Sequence, residues 1–500
     1  MWPFSRTRKP RPAATAPLLF TNTLSGKKEP FAPQKPGMAT LYSCGPTVYS
    51  AQHIGNMRGA VFADLAGRIL KASGYRVRRV INITDVGHLL GDNQGDASQG
   101  EDRIEKAARE SGARAAGIAH TYTDLYLKDL RALAIDTQDI LFPRASEYIK
   151  EQISMVQALE KNGLTYRIHD GIYFDTAKYP DYGKLGGIQE LIKSGTAASL
   201  EDRVALAGHG RITANGEKKH AADFALWKLT APGERRQQEW SSPWGRGFPG
   251  WHIECSAMSK ALLGETIDVH TGGIEHIPTH HNGEIAQSEA VSGKTFVRYW
   301  LHQAHLNLNG EKFSKSEGRV VLLSEIIERG FNPLALRYLF LQAHYRSPLT
   351  FSWEAIAAAN EALTRLWRIA SEIKREAKGI AQPSDRADRI IALLRDDLGT
   401  PAALALLWET VRDDSLSAKV IWGAIEAADS VLGLSLREPP QPAGALSFAS
   451  LPPDVRKLVG EREAARQARD FAKADEMRIH MQKRGYQVED RPDGPAITKI

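Results

Sequence analysis

The apolar positions change period twice near the start of the chain. Residues 38–44, MATLYSC, alternate as a strand would and run into the Gly45-Pro46 turn. In the following stretch, GNMRGAVFADLAGRILKASG, Val61, Leu65, Ile69 and Leu70 recur at helical spacing and Gly74 supplies a stop. YRVRRVINIT, residues 75–84, is β-branched and returns to strand character. Strand, glycine-bearing loop, helix, strand is a βαβ unit, which predicts an α/β domain whose ligands sit beyond the carboxyl ends of its strands. Cys44 stands at one such end.

Between about 100 and 165 the pattern is helical. GIYFDTAKYPDYGKLGG then breaks into short strands and turns, and the Gly- and charge-rich AGHGRITANGEKKH follows, so this middle block reads as an insertion. TIDVHTGG (266–273) resumes a strand and HHNGEIAQSEAV a helix. Beyond 330, NPLALRYLFLQAHY and the segments 353–378, 387–394 and 401–434 are amphipathic helices. A Pro/Gly-rich linker, REPPQPAGALSFASLPP, leads to a last block, EREAARQARDFAKADEMRIHMQKRG, read as one charged helix stopped by Gly485.

Composition narrows the function classes. Five hundred residues, 42% of them hydrophobic, exceed what a single core accommodates, so several domains are expected. No uncharged apolar run is long enough to span a bilayer, since even 420–436 contains Glu426 and Asp429; a soluble, cytoplasmic protein is expected. The pI of 9.0 suggests nucleic acid, yet residues 1–37 hold seven Lys/Arg against Glu29, a surplus equal to the whole chain's +6. The remaining residues balance at zero, so net charge gives little support for RNA binding. Residues 1–17 lack the apolar centre of a secretory signal and read as a disordered basic tail, with an organelle transit sequence as the other reading. Two cysteines, Cys44 and Cys255, cannot build a disulfide framework; each is core filler, nucleophile or metal ligand.

Two motifs bear on chemistry. HIGN, residues 53–56, lies where the first helix opens, and an imidazole there faces any phosphate bound at the helix end, with Gly55 allowing close backbone approach. NGEKFSKSEG (309–318) is a tight turn followed by a polar loop whose Lys312 and Lys315 can neutralise phosphate charge. Each alone is commonplace, as a helix cap or as solvated surface. Together, on a nucleotide-binding βαβ core and about 260 residues apart, they resemble the HIGH and KMSKS signatures of class I aminoacyl-tRNA synthetases, with Asn56 for the second His and Phe313 for Met.

LYSCGPTVY, NITDVGH, GWHIECSAM, DVHTGGIEHIPTHHNGEIAQSE and HYRSPLTFS look, taken together, like the cysteinyl-tRNA synthetases, from about Leu18 to the C-terminus. That resemblance implies one Zn²⁺ held by Cys44, Cys255, His280 and Glu284, with His281 the less certain of the histidine pair. The spacing agrees, because His280 and Glu284 are four apart on the helix that opens near HHNGE, and two thiolates, an imidazole and a carboxylate suit zinc. Cys255 would then meet Cys44 across a metal, without a disulfide. The resemblance also implies Mg²⁺ with ATP, phosphate stabilisation by His53, Asn56, Lys315 and Lys312 with Gly55 at the ATP, and an amino-acid pocket lined by Thr84, Trp251 and His270. Glu275 stands where the family often has Asp, THHNG replaces a common PHHEN, and AITK replaces an ending that frequently holds Trp.

The implied fold is a Rossmann-type class I catalytic core (18–142 and 224–305) interrupted by an insertion (143–223). A KFSKS loop and stem-contact region (306–345), a helical anticodon-side bundle (346–437), a linker (438–453) and a small α/β C-terminal module (454–500) follow. The implied reaction activates L-cysteine with ATP and transfers it to tRNA(Cys), and a monomer with no hydrolytic editing domain is expected. Two rivals remain: a cysteine:aminosugar ligase of mycothiol synthesis, which would lack the anticodon-side module, and a non-catalytic tRNA-binding paralogue.

Overall fold

The structure is a computed structural model that describes residues 16–87, 102–187, 217–220, 222–308, 311–312, 320–440, 445–446, 448, 451–490 and 495–499. Most of the basic tail lies outside these residues. The chain divides into two compact units. One comprises Met1–Leu323, Ala343–Phe351 and Ala392–Thr400; the other comprises Ser324–Gln342, Ser352–Ile391 and Pro401–Ile500.

The first unit is built on a five-stranded parallel sheet: β1 (Met38–Ser43), β2 (Arg76–Ile81), β3 (Ile140–Leu141), β4 (Ile267–Gly273) and β5 (Val297–Gln303). Their spatial order is β5-β4-β1-β2-β3. The chain leaves β1 toward β2 and later returns to β1's other side as β4, so the order reverses between β1 and β4. Their carboxyl ends therefore form the crevice where such sheets place ligands. β4 is buried along nearly its whole length, which explains why TIDVHTGG carries so little alternation.

Helix α1 (Ile54–Ala72) connects β1 to β2 and buries Met57, Val61, Leu65, Ile69 and Leu70 against the sheet. His53 is its N-cap: the ring Nδ1 accepts from the Asn56 backbone N–H, 3.3 Å away, and no acid occupies the first turn. Gly74 takes the left-handed φ of +91° that ends the helix. Asp64 on α1 bonds Arg79 of β2 (3.2 Å) and Arg68 (2.6 Å), a buried charge network that fixes helix to sheet.

Between β3 and β4, Ile149–Lys161 is helical and packs on an antiparallel five-stranded sheet. Its strands run in the order Thr165–Ile168, Gly171–Phe174, Phe224–Leu229, Gly245–Pro249 and Trp240–Ser242. Phe174, Phe224, Leu226 and Trp227 form its core. This sheet feeds directly into α2 (Trp251–Leu263), and after β4 a π-helical turn, Ile277–His281, precedes α3 (Asn282–Ser292). A small sheet of Glu311–Lys312, Leu306–Leu308 and Leu349–Phe351 completes the unit.

The second unit is helical, with Pro333–Leu341, Trp353–Glu376, Thr400–Thr410 and Ala418–Leu432 among its elements. Buried Arg337 donates from Nε to the Leu432 carbonyl (2.6 Å), satisfying a helix C-terminus. Its last block differs from the sequence reading. The charged segment is two helices, Pro453–Gln467 and Phe471–Gln482, because Arg469 turns to a left-handed φ of 58° and Asp470 caps the second helix by accepting from Lys473 N. The segment 401–434 likewise splits in two. No described helix is long and apolar enough to cross a membrane.

Gly45 marks the tightest approach near the crevice. A Cβ there would lie 1.7 Å from the backbone oxygen of Asn82, whose Oδ1 accepts from Gly45 N at 2.8 Å. Gly45→Ala must therefore separate the end of β1 from the chain after β2. A loss of about 1–3 kcal/mol in urea unfolding is expected, and a variant as stable as the parent would contradict this packing.

Candidate metal centre and active site

Three chain segments meet at the carboxyl ends of β1 and β4. Cys44 follows β1, Cys255 lies in the second turn of α2, His280 and His281 close the π-turn, and Glu284 sits in the first turn of α3. The ligand atoms of Cys44, Cys255, His280 and Glu284 all lie within 4.8 Å of one another. A second set, Cys44, His270, His281 and Glu284, meets the same criterion and shares two members with the first. Cys44 is half-buried and the other donors are buried.

Local sequence explains the convergence. Asn282 bridges the π-turn to the insertion: its Nδ2 donates to the Ile277 carbonyl (2.6 Å), and its Oδ1 accepts from Leu185 N (3.1 Å). The π-turn places His280 just ahead of α3 and not on it, and its Nε2 is still 3.2 Å from Glu284 Oε1. Inserted π-turns recur at functional sites because they re-aim side chains. Gly250 caps α2 where a Cβ would lie 2.0 Å from the Ala225 oxygen, bringing the helix start against the inner sheet.

The electrostatics favour a cation. Burial pushes the Cys44 thiol well above its ordinary pKa, and the neighbouring Cys255 and Glu284 add to the effect. The Tyr42 phenol is raised by burial and by the same thiols and carboxylate. Burial holds His281 and His302 well below the ordinary imidazole value, helped by His270, and lowers His276 as well. The cluster thus collects groups that become anionic on ionisation among imidazoles that stay neutral. That donor set fits a thiophilic divalent ion and is compatible with zinc.

Several contributors were not singled out from sequence. His252 Nδ1 lies 3.1 Å from His280 Nδ1, and burial lowers the His252 pKa to about 3, keeping the ring neutral. For His280 Nε2 to offer a lone pair, its proton must sit on Nδ1, and His252 accepts it there. The three-residue spacing of His252 and Cys255 on one helical face was the available signal. On the other side, His281 Nδ1 meets His302 Nε2 (2.7 Å), and His302 Nδ1 meets Thr23 Oγ1 (2.7 Å). No local pattern links residues so far apart in the chain.

Of the other residues expected at the site, Trp251 stacks on the His280 ring at 4.3 Å between centroids and 30° between planes. His270 is fully buried, stacks on Trp300 (4.5 Å), and its Nε2 is 3.1 Å from Glu284 Oε2. Thr84 is buried and donates to Glu254 Oε2 at 3.0 Å, so its hydroxyl belongs to a polar network beneath the crevice. His53, Gly55 and exposed Asn56 gather at the start of α1, where a Cβ on Gly55 would come within 2.9 Å of the His53 ring. Lys312 lies in the strand Glu311–Lys312, while Lys315 lies outside the described residues.

Comparison with known proteins agrees over most of the chain. Residues 30–361 match the family of tRNA synthetases class I (C) catalytic domains, and residues 449–495 match the cysteinyl-tRNA ligase anticodon binding domain. Cysteine–tRNA ligase 1 of Burkholderia lata is 44% identical over 482 residues, covering 96% of this chain and 97% of that protein. Cysteine–tRNA ligase of Novosphingobium aromaticivorans is 41% identical over 494 residues, with 96% of each chain covered. Among solved structures, a ternary LeuRS–tRNA–LeuAMS complex of Agrobacterium radiobacter K84 superimposes with a TM-score of 0.55 at 12% identity, covering 82% of this chain and 85% of that one. The Mycobacterium tuberculosis methionyl-tRNA synthetase with methionyl-adenylate gives 0.51 at 15% identity, covering 79% and 90%. At such identities these two likenesses concern the fold alone.

If His252 fixes the His280 tautomer, His252→Leu should weaken metal affinity about 10- to 100-fold without unfolding the protein. His252→Gln, which keeps an acceptor, should lose less. Competition with a chromophoric chelator measures both, and unchanged affinity in His252→Leu would remove His252 from the centre.

Proposed function

Since this chain belongs to the cysteine–tRNA ligase family of class I tRNA synthetases, we propose that it activates L-cysteine with Mg²⁺-ATP and transfers it to the 3′-terminal adenosine of tRNA(Cys). The observation that carries the substrate assignment is the convergence of two thiols, an imidazole and a carboxylate from three separate segments within 4.8 Å. Cys44, Cys255, His280 and Glu284 would hold one Zn²⁺. When bound, zinc supplies a thiophilic Lewis acid that distinguishes a cysteine thiolate from a serine hydroxyl. Shape alone discriminates such isosteres by only about 1–3 kcal/mol.

The chain's own residues do the rest. Trp251, stacked on His280, would wall the amino-acid position beside the metal centre, and His270 steadies the far oxygen of Glu284. By the family resemblance, His270 and Thr84 would line the amino-acid position. In the first step a carboxylate oxygen of cysteine attacks the α-phosphorus, the bond to the bridging oxygen breaks, and pyrophosphate leaves. The start of α1, without an acid in its first turn, presents unneutralised dipole to these phosphates. His53 and Asn56 there, with Lys312 and Lys315, would stabilise the negative charge spread over the phosphoryl oxygens. In the second step a ribose hydroxyl of the terminal adenosine attacks the carbonyl carbon and AMP departs with the bonding pair.

The anticodon-binding match over 449–495 argues against the aminosugar ligase. A non-catalytic paralogue is not favoured either, since the donor set is intact.

Cysteine-dependent ATP–pyrophosphate exchange tests the reading. Wild type should exchange with cysteine and not with serine, and Cys255→Ser should lose metal and at least about 100-fold in exchange, a barrier change of about 2.7 kcal/mol. Equal use of serine by the metal-loaded wild type would defeat the selection account.

A further inference from the structure

Two residues after the HIGN segment, α1 carries an arginine that belongs neither to the metal centre nor to the helix end. Arg58 is 3% exposed, and its guanidinium donates to four backbone carbonyls. Nη1 reaches the oxygens of Ala304 (2.9 Å) and His305 (2.6 Å). Nη2 reaches those of His344 (3.5 Å) and Ser347 (2.7 Å). None of these partners is a carboxylate. A buried cation satisfied only by neutral dipoles is an expensive way to fill a core, and an apolar side chain of similar volume would be the cheaper filler.

The positions of the four carbonyls show what the guanidinium connects. Ala304 and His305 lead directly into Leu306–Leu308, and Ser347 leads into Leu349–Phe351. Those two strands pair in parallel, Leu306 opposite Leu349, and Asn307 pairs with Lys312 on the other side. Arg58 therefore grips the two chain segments that lead into the small sheet carrying Lys312. Four residues on, Phe62 stacks on Tyr345 at 4.6 Å and 16°, extending the same grip. At the head of the helix, Ile54 N donates to the Val321 carbonyl (2.9 Å). A planar fork can direct separate donors at all four carbonyls; an ammonium, with three donors on a single atom, cannot. Burial lowers the Arg58 pKa to about 10, which leaves it charged at neutral pH.

We propose that Arg58 is a positioning residue for the ATP-dependent step, setting the strand that carries Lys312 at a fixed distance from the helix end formed by His53 and Asn56. This rests on the reading that those three residues meet the ATP phosphates. The partners of its guanidinium are backbone carbonyls and none is a candidate metal ligand, so its effect passes through the strand that carries Lys312.

The experiment is a double-mutant cycle on the full-length, metal-loaded protein, using Arg58→Lys, Lys312→Ala and the double variant. Cysteine-dependent pyrophosphate exchange is read together with the cysteine KM, zinc content and thermal unfolding. Arg58→Lys should lower the exchange kcat about 100-fold, the scale of a misplacement of about 1 Å, while zinc content and cysteine KM stay within about twofold. In the Lys312→Ala background the same change should cost at least about threefold less than in the wild type, because both act through the strand Glu311–Lys312.

Additive losses, or a wild-type kcat in Arg58→Lys, overturn the inference. Should Arg58→Lys fail to fold, Arg58→Gln takes its place; if both lose zinc and cooperative unfolding, Arg58 is a general core residue and the inference also fails. An unchanged exchange rate in Lys312→Ala alone would instead remove the phosphate assignment on which the inference stands, so the two failures are distinguishable.

Discussion

Two thiols and a carboxylate packed within a few ångströms of one another inside a protein repel as soon as they ionise. At about 4 Å and an effective dielectric of about 20, each pair of like charges costs about 4 kcal/mol. The surrounding imidazoles do not compensate, because burial keeps His281 and His302 neutral. Cys44, Cys255 and Glu284 are therefore compatible as anions only around a cation. The segments after β1, in α2 and at the start of α3 are each shaped to deliver one or two of these donors to the same point. Gly45, Gly250 and Asn282 remove steric obstacles or tie down the turns that would otherwise carry the donors apart.

The sheet order gives this centre its place. Reversal between β1 and β4 sets the crevice at their carboxyl ends, and α1 follows β1 from the same end of the sheet, so the donor cluster and the helix start belong to one unit. An amino acid held by its side chain at one and a triphosphate at the other would bring carboxylate and α-phosphorus together without a covalent nucleophile from the protein. Arg58 extends the logic: one buried guanidinium makes the helix end and the Lys312 strand a single geometric object.

Much of this was legible in the sequence because it follows local rules. The strand-helix-strand pattern of residues 38–81 is a matter of period, whereas the set Cys44, Cys255, His280 and Glu284 came from the resemblance to the cysteinyl-tRNA synthetases and from no local pattern. The supporting groups were harder to see. His252 and Arg58 sit inside runs that look like ordinary helix, and His302 reaches His281 only through the parallel pairing of β4 with β5. Their roles depend on long-range contacts that no periodicity encodes. The break at Arg469 was missed for a different reason: in a uniformly charged segment the single capping residue, Asp470, is a faint signal against strong helix formers on both sides.

The central claim is that these four side chains form one metal centre with two sulfur ligands. X-ray absorption at the zinc edge of the purified, metal-loaded protein measures this most directly. The account predicts one zinc per chain with two sulfur scatterers at about 2.3 Å and two lighter ligands at about 2.0–2.1 Å, and a third sulfur on adding cysteine but not serine. A first shell without sulfur, or one unchanged by cysteine, would contradict it.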